Sequence, residues 1–112
     1  MKYALLVYDK PGTWDSLPEA EQEKAFEEYM AAAQAPGVLG SEQLQPVETA
    51  TTVRVNDGET LTTDGPFADT KEIFGGFYLL EADDLDAAID LASRIPAARM
   101  GGSVEVRPIV ER

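Results

Sequence analysis

The sequence predicts an α+β domain in which two helices pack on one face of a single sheet. Three observations lead to this prediction: the order of the predicted elements, strands that are apolar on both faces, and a chain of 112 residues and 12.1 kDa. A chain of this size forms one hydrophobic core. The element order is β-α-β-(hairpin)-β-α-β, and two right-handed crossovers into one sheet give a ferredoxin-like sandwich. We therefore expect a single domain over residues 1–112.

The first strand and helix are predicted from residues 2–34. Residues 2–8 (KYALLVY) are apolar on both faces and are followed by turn residues. Ser16 is the expected N-cap of the first helix, with Pro18 near its start. Five apolar residues at steps of three and four predict the buried side of that helix. They are Ala25, Phe26, Tyr29, Met30 and Ala33.

A weak strand over residues 38–44 is followed by a predicted β-hairpin. The hairpin strands, 50–55 and 59–63, flank Asn56-Asp57-Gly58, residue types that accept left-handed backbone angles. Residues 76–82 (GFYLLEA) predict another strand that is apolar on both faces.

The second helix is expected to begin at Asp83 or Asp84 and to end before Pro96. Its predicted buried stripe consists of Leu85, Ala88, Ile89, Ala92 and Ile95. Residues 103–110 predict the last strand, and Pro108 places it at a sheet edge because proline lacks the N–H that a central strand needs.

Two helices cover only one face of such a sheet, although residues 2–8 and 76–82 are apolar on both. An open apolar face of several hundred Å² promotes aggregation of a monomer. A second copy of the chain would bury it most simply. We therefore expect a homodimer.

Composition excludes several function classes. The chain has no cysteine and no histidine, which removes disulfides, thiolate metal sites and histidine-based catalysis, and we expect no metal and no cofactor. A net charge of -12 argues against nucleic-acid and membrane-surface partners. Without an apolar span or a signal peptide in the sequence, we expect a cytoplasmic protein.

The polar stretch at residues 64–72 is the strongest candidate for a site. Asp64, Gly65 and Pro66 predict a tight turn before Phe67, while Lys71 and Glu72 bring both charge signs to the start of a central strand. The alternative is a structural loop with an ion pair at Lys71. Three further residues, Tyr8, Asp9 and Trp14, gather at the end of the first strand. Arg54 and Arg107 lie on predicted strands, where an arginine can bind an anion or pair with a nearby glutamate.

The segment TDGPFADTKE (residues 63–72) resembles the YCII-related proteins, in the subgroup named for its Asp-Gly-Pro-Phe signature. MKYALLVY at the start, ATTVR at 50–54, GGFY at 75–78 and VEVRP at 104–108 fit the same family. The resemblance implies a dimeric α+β barrel of ferredoxin-like protomers. Some relatives are thought to use a His–Asp pair, which this histidine-free chain lacks. Genes of the subgroup often lie beside those of extracytoplasmic-function sigma factors.

Two classes of function follow from these observations. In the first, the dimer binds a small, anionic molecule beside the Asp-Gly-Pro-Phe loop, with Asp64, Lys71, Glu72 and Arg107 as the polar lining, and Gly65, Pro66 and Phe67 as structural motif residues. Asp64 or Glu72 would be the acid or base if the protein is an enzyme. In the second, the protein is a non-catalytic regulatory module whose acidic helices bind a basic protein partner.

Overall fold

The computed structural model describes residues 1–65 and 71–112, and it has the predicted ferredoxin-like α+β architecture. The main elements are β1 (Lys2–Asp9), α1 (Glu19–Ala33), β2 (Val38–Gln43), β3 (Thr51–Asn56), β4 (Glu59–Asp64), β5 (Ile73–Glu81), α2 (Leu85–Ser93) and β6 (Ser103–Pro108). Four antiparallel strands form the sheet in the order β2-β5-β1-β6, and β3 and β4 form a separate hairpin. Within the described ranges, no helix has the length and apolar character needed to cross a bilayer.

The core lies between the sheet and the two helices. Tyr3, Leu5 and Val7 of β1 face it, together with Tyr78 and Leu80 of β5. These residues alternate with the more exposed ones along each strand, as the two-residue period of a strand requires. The helices therefore cover the odd-numbered face of β1, and β6 lies at the sheet edge that Pro108 predicted.

The outer face of the sheet carries the other half of the alternating side chains. Pairing of β1 with β5 aligns Leu6 with Phe77 and Ala4 with Leu79. All four are only partly buried. We use the term outer face for these four residues, Tyr8, and the residues of β6 that pair with them, Ser103, Glu105 and Arg107.

The prediction for the buried side of α1 is partly wrong. Ala25 and Ala32 are buried, whereas Phe26 and Met30 are 56% and 46% exposed. The hydroxyl of Tyr78 donates a hydrogen bond of 3.0 Å to the backbone oxygen of Tyr29. Because this ring fills the space between the sheet and α1, the helix faces the sheet with small side chains.

The predictions for the first residues of the two helices and for the buried side of α2 are confirmed in part. Ser16 is not the N-cap of α1, since its hydroxyl donates to the Thr13 oxygen, and Pro18 precedes the first helical residue. Of the two predicted candidates, Asp83 and Asp84, it is Asp84 that caps α2, accepting a bond of 2.9 Å from the Ala87 N–H. In α2, Leu85 and Ile89 are exposed instead of buried. Leu91 takes their place, alongside the predicted Ala88, Ala92 and Ile95.

The hairpin has the predicted turn. Asp57 and Gly58 have φ angles of 51° and 80°, the left-handed values that a two-residue turn between twisted strands requires. At its base, the Gly65 N–H donates to the Ala50 oxygen at 2.7 Å. The predicted roles of Pro66 and Phe67 lie outside the described residues.

Candidate ligand-binding site

An open cavity of about 580 Å³ lies where the end of β1 meets the starts of β5 and β6. Its described lining consists of Tyr8, Lys10, Lys71, Glu72 and Gly101. Because β1 is antiparallel to both neighbours, the last residues of β1 lie beside the first residues of β5 and β6. The topology therefore gathers three sequence-distant segments at one end of the sheet.

A β-bulge shapes the aromatic wall of this cavity. The register between β1 and β5 shifts after Val7, so that Gly76 pairs with Val7 but Phe74 pairs with Tyr8. The Tyr8 and Phe74 rings lie 5.5 Å apart at an angle of 53°. Bulges commonly turn side chains toward a site. Here the bulge places the Phe74 ring in tilted contact with Tyr8, which lines the cavity.

The polar groups of the cavity have both charge signs. Glu72 is partly buried and accepts a hydrogen bond of 3.2 Å from the Ser103 hydroxyl, which ties the start of β5 to the start of β6. Lys10 and Lys71 are both exposed at the cavity. The described lining therefore contains two lysines and one glutamate, a local positive charge in a protein whose net charge is -12.

Glycine is required beside this cavity at Gly102. A Cβ built on Gly102 would overlap the backbone oxygen of Tyr8. A backbone atom cannot move aside as a flexible side chain can. The close approach of Gly102 to Tyr8 therefore holds the loop before β6 against the end of β1.

The structure places the predicted site residues in different surroundings. It brings Lys71 and Glu72 into one cavity. Asp64 ends β4, exposed and paired with Thr51, and the Gly65 oxygen accepts a 2.8 Å bond from the Thr52 hydroxyl. Neither Asp64 nor Gly65 belongs to the described lining.

Arg107 lies on the outer face, paired in register with Ala4. Its Nε is 3.9 Å from a carboxylate oxygen of Glu105. It lies four positions after Ser103, a distance along the strand of about 13 Å. Arg107 thus shares the face of the cavity residue Tyr8 but is not part of the described lining.

Lys10 lines the cavity, although the sequence predicts only a turn at this position. Its position directly after a central strand is the signal that could have identified it, because ligand sites tend to form at strand ends. Gly101 lies in the loop before β6. Its φ is 86°, and the stem of the Lys10 side chain lies against it.

A second polar cluster lies on the core side of the same sheet end. The carboxylate of Asp9 packs against Gly75, and its partial desolvation raises its pKa above the ordinary 3.8. Burial, followed by the nearby charge of Asp9, raises the pKa of Tyr29 to about 12. Burial also raises the pKa of Tyr78. Within residues 1–65 and 71–112, acidic side chains do not cluster in threes at positions that could hold a metal ion.

Comparison with known proteins identifies the family. The solved structure of a 5-chloro-2-hydroxyhydroquinone dehydrochlorinase from Burkholderia phenoliruptrix AC1100, in complex with 2,5-dihydroxybenzoquinone, matches with a TM-score of 0.56 and 15% identity, over 100% of this chain and 96% of that one. An uncharacterized protein of Rhizobium meliloti (strain 1021) is 38% identical over 114 residues, covering 97% of this chain and 92% of that protein. The sequence pattern of the YCII-related domain matches residues 1–112. The chain therefore belongs to the YCII-related domain family.

Proposed function

We propose that this protein binds a small anionic molecule in the cavity between Lys10 and Lys71. The juxtaposition of these two lysines, from segments 61 residues apart in the chain, is the observation that carries the proposal. An ammonium group binds a carboxylate, enolate or phosphate through charge-assisted hydrogen bonds. The net negative charge of the chain opposes anion binding only weakly, because physiological salt screens charges that lie more than about 8 Å from the bound anion.

The aromatic pair favours a planar ligand. Tyr8 lines the cavity and is itself supported by Phe74. A flat anion can stack on such a ring while its oxygens bind the lysines. The dehydrochlorinase of the same fold was solved with 2,5-dihydroxybenzoquinone, an acidic planar ring. Because the two chains are only 15% identical, that ligand supplies a probe and does not identify the natural one.

The site would be completed by a second copy of the chain. The outer face holds apolar residues at its centre and Arg107 on β6. Packing of two outer faces against each other, as in a dimeric α+β barrel, would enclose Arg107 and extend the polar lining beyond Lys71 and Glu72. We propose this assembly because the centre of the outer face is apolar and neither α1 nor α2 packs on it.

Isothermal titration calorimetry with 2,5-dihydroxybenzoquinone, and with benzoate as a second planar anion, tests the site. Replacing Lys71 by Gln should weaken binding by about 1.5–3 kcal/mol, the value of one hydrogen bond to a charged group, which is roughly tenfold or more. The control is Lys24→Gln, which removes the same charge from an exposed residue of α1 outside the described cavity lining. It should leave the affinity unchanged.

Two results would contradict the proposal. One is a wild-type protein that takes up neither anion at millimolar concentration. The other is an equal loss of affinity in Lys71→Gln and Lys24→Gln, which would assign the effect to overall charge. Arg107→Gln is the third variant, since a loss of affinity there would support the two-copy site.

A further inference from the structure

The outward side of α1 exposes two large apolar side chains among its charged residues. Phe26 and Met30 are four residues apart and therefore lie on the same side of the helix. Their exposed fractions are 56% and 46%, and Trp14, from the preceding loop, is 40% exposed. Together they present on the order of 300 Å² of apolar surface, a size at which a patch on a monomer is often functional.

Trp14 and Phe26 border an open groove. Its volume is about 380 Å³, and it is lined by Trp14, Glu19, Gln22, Glu23, Phe26 and Glu27. The Gln22 amide donates a 2.8 Å hydrogen bond to the Trp14 backbone oxygen, which also accepts from the Leu17 N–H at 3.1 Å. The loop that carries Trp14 is thus attached to α1, and the indole and Phe26 belong to one surface.

A row of carboxylates runs beside the apolar residues. Glu19, Glu23 and Glu27 are spaced by four and therefore neighbour one another along the helix. Like charges at this spacing destabilise a helix by about 0.2–0.5 kcal/mol per pair. None of the three forms an ion pair with another residue of the described chain. The helix therefore keeps an unneutralised negative row next to its exposed aromatic ring.

We propose that this groove binds a basic amphipathic helix of a partner protein. Apolar anchors of the partner would contact Trp14, Phe26 and Met30, and its lysines or arginines would neutralise the glutamate row. Arginine would also gain a cation–π contact with the indole. Charge complementarity favours a basic partner over a second copy of this chain. Two copies would bring two rows of glutamates together, and each copy has a net charge of -12. The proposal is independent of ligand binding in the Lys10–Lys71 cavity.

Trp14 is the single tryptophan, so its fluorescence reports directly on the groove. The probe is a synthetic helix of about 14 residues with Leu at i, i+3, i+4 and i+7 and Lys elsewhere. We expect it to shift Trp14 emission to shorter wavelength in a saturable way. An otherwise identical peptide with Glu in place of Lys should leave the emission unchanged.

Matched variants separate docking from general attraction to an acidic protein. Glu23→Gln combined with Glu27→Gln should weaken peptide binding about tenfold, while Asp83→Asn combined with Asp86→Asn, an equal charge change on exposed residues elsewhere, should change it less than about twofold. Phe26→Ala with Met30→Ala should also weaken binding about tenfold. Circular dichroism establishes that each variant is folded.

Three outcomes would overturn the proposal. Equal weakening by the two charge-neutralised pairs would mean non-specific attraction. Binding without a change in Trp14 emission would place the peptide elsewhere. A lower solution mass of the Phe26→Ala, Met30→Ala variant than of the wild type would show that a second copy of this chain occupies the groove.

Discussion

Asp9 is the residue whose surroundings most clearly oppose its charge. It ends β1 as an exposed residue whose carboxylate nevertheless packs against Gly75, and its charge contributes to the raised pKa of Tyr29. A Cβ on Gly75 would overlap that carboxylate, so a larger residue there would make the Asp9 side chain move. Partial desolvation raises the pKa of Asp9, so the fold holds the neutral acid more readily than the unfolded chain does.

This shift predicts a pH dependence of stability. Because the pKa of Asp9 is higher in the folded than in the unfolded chain, protonated Asp9 favours the folded state. This contribution to stability is fully present below pH 3.8, the ordinary pKa, and is lost as the pH rises through the pKa of the folded state. Asp9→Asn should therefore raise Tm at pH 7, and the gain should shrink as pH falls toward 3.8. Thermal melts at both pH values measure it. Asp15→Asn, which removes an exposed charge of the same sign, corrects for overall repulsion.

This role for Asp9 would be contradicted if Asp9→Asn raised Tm at pH 7 by no more than Asp15→Asn does. It would also be contradicted if the rise in Tm were as large at pH 3.8 as at pH 7. The same variant should lower the Tyr29 pKa from about 12, because the charge of Asp9 helps to raise it. Tyrosinate absorbance during alkaline titration follows that change.

Part of the candidate site could be predicted from residue types alone. The sequence predicts Lys71 and Glu72 as site residues because they follow turn residues and directly precede a central strand. Both residues line the cavity. Lys10 and Gly101 could not be joined to them, since their proximity depends on antiparallel pairing of β1 with β5 and β6. The bulge that pairs Tyr8 with Phe74 breaks the two-residue period of β5, so that Phe74 and Phe77 share one face. Its signal in the sequence is the pair Gly75-Gly76, because glycine inside a strand often marks a bulge.

At the scale of elements, α1 shows what periodicity leaves open. Its apolar residues form two overlapping stripes, one of alanines and one containing Phe26 and Met30, and a repeat of 3.6 residues fits both. The choice depends on the sheet beneath, where Tyr78 already fills the space below α1. The hairpin turn and the Asp84 cap depend only on neighbouring residues, and both were predicted correctly.

The orientation of α1 predicts opposite effects at adjacent positions. Ala25 is 3% exposed, so Ala25→Leu should overpack the core and reduce the free energy of unfolding by about 1–3 kcal/mol. Phe26→Ala, on the exposed side, should change it by less than about 0.5 kcal/mol. Urea denaturation followed by circular dichroism measures both. A larger loss for Phe26→Ala than for Ala25→Leu would mean that the helix is rotated.

At the scale of the whole molecule, the sequence predicted the topology because each element's type and order were readable and few chain paths join them. The resulting body is thin, with a shortest extent of 19 Å, as expected for one sheet and one layer of helices. That thinness leaves the outer face without a helical layer. The proposed two-copy assembly follows from this feature.

Analytical ultracentrifugation of the wild type and two matched variants tests that assembly most directly. Leu5 is fully buried in the core and Leu6 lies beside it on the outer face. We predict that the wild type sediments at about twice 12.1 kDa, that Leu6→Glu gives a folded monomer, and that Leu5→Glu unfolds the protomer, because each places an unpaired charge in a buried setting. A wild type that sediments near 12.1 kDa at micromolar concentration, or a Leu6→Glu variant that keeps the wild-type mass, would contradict the two-copy site.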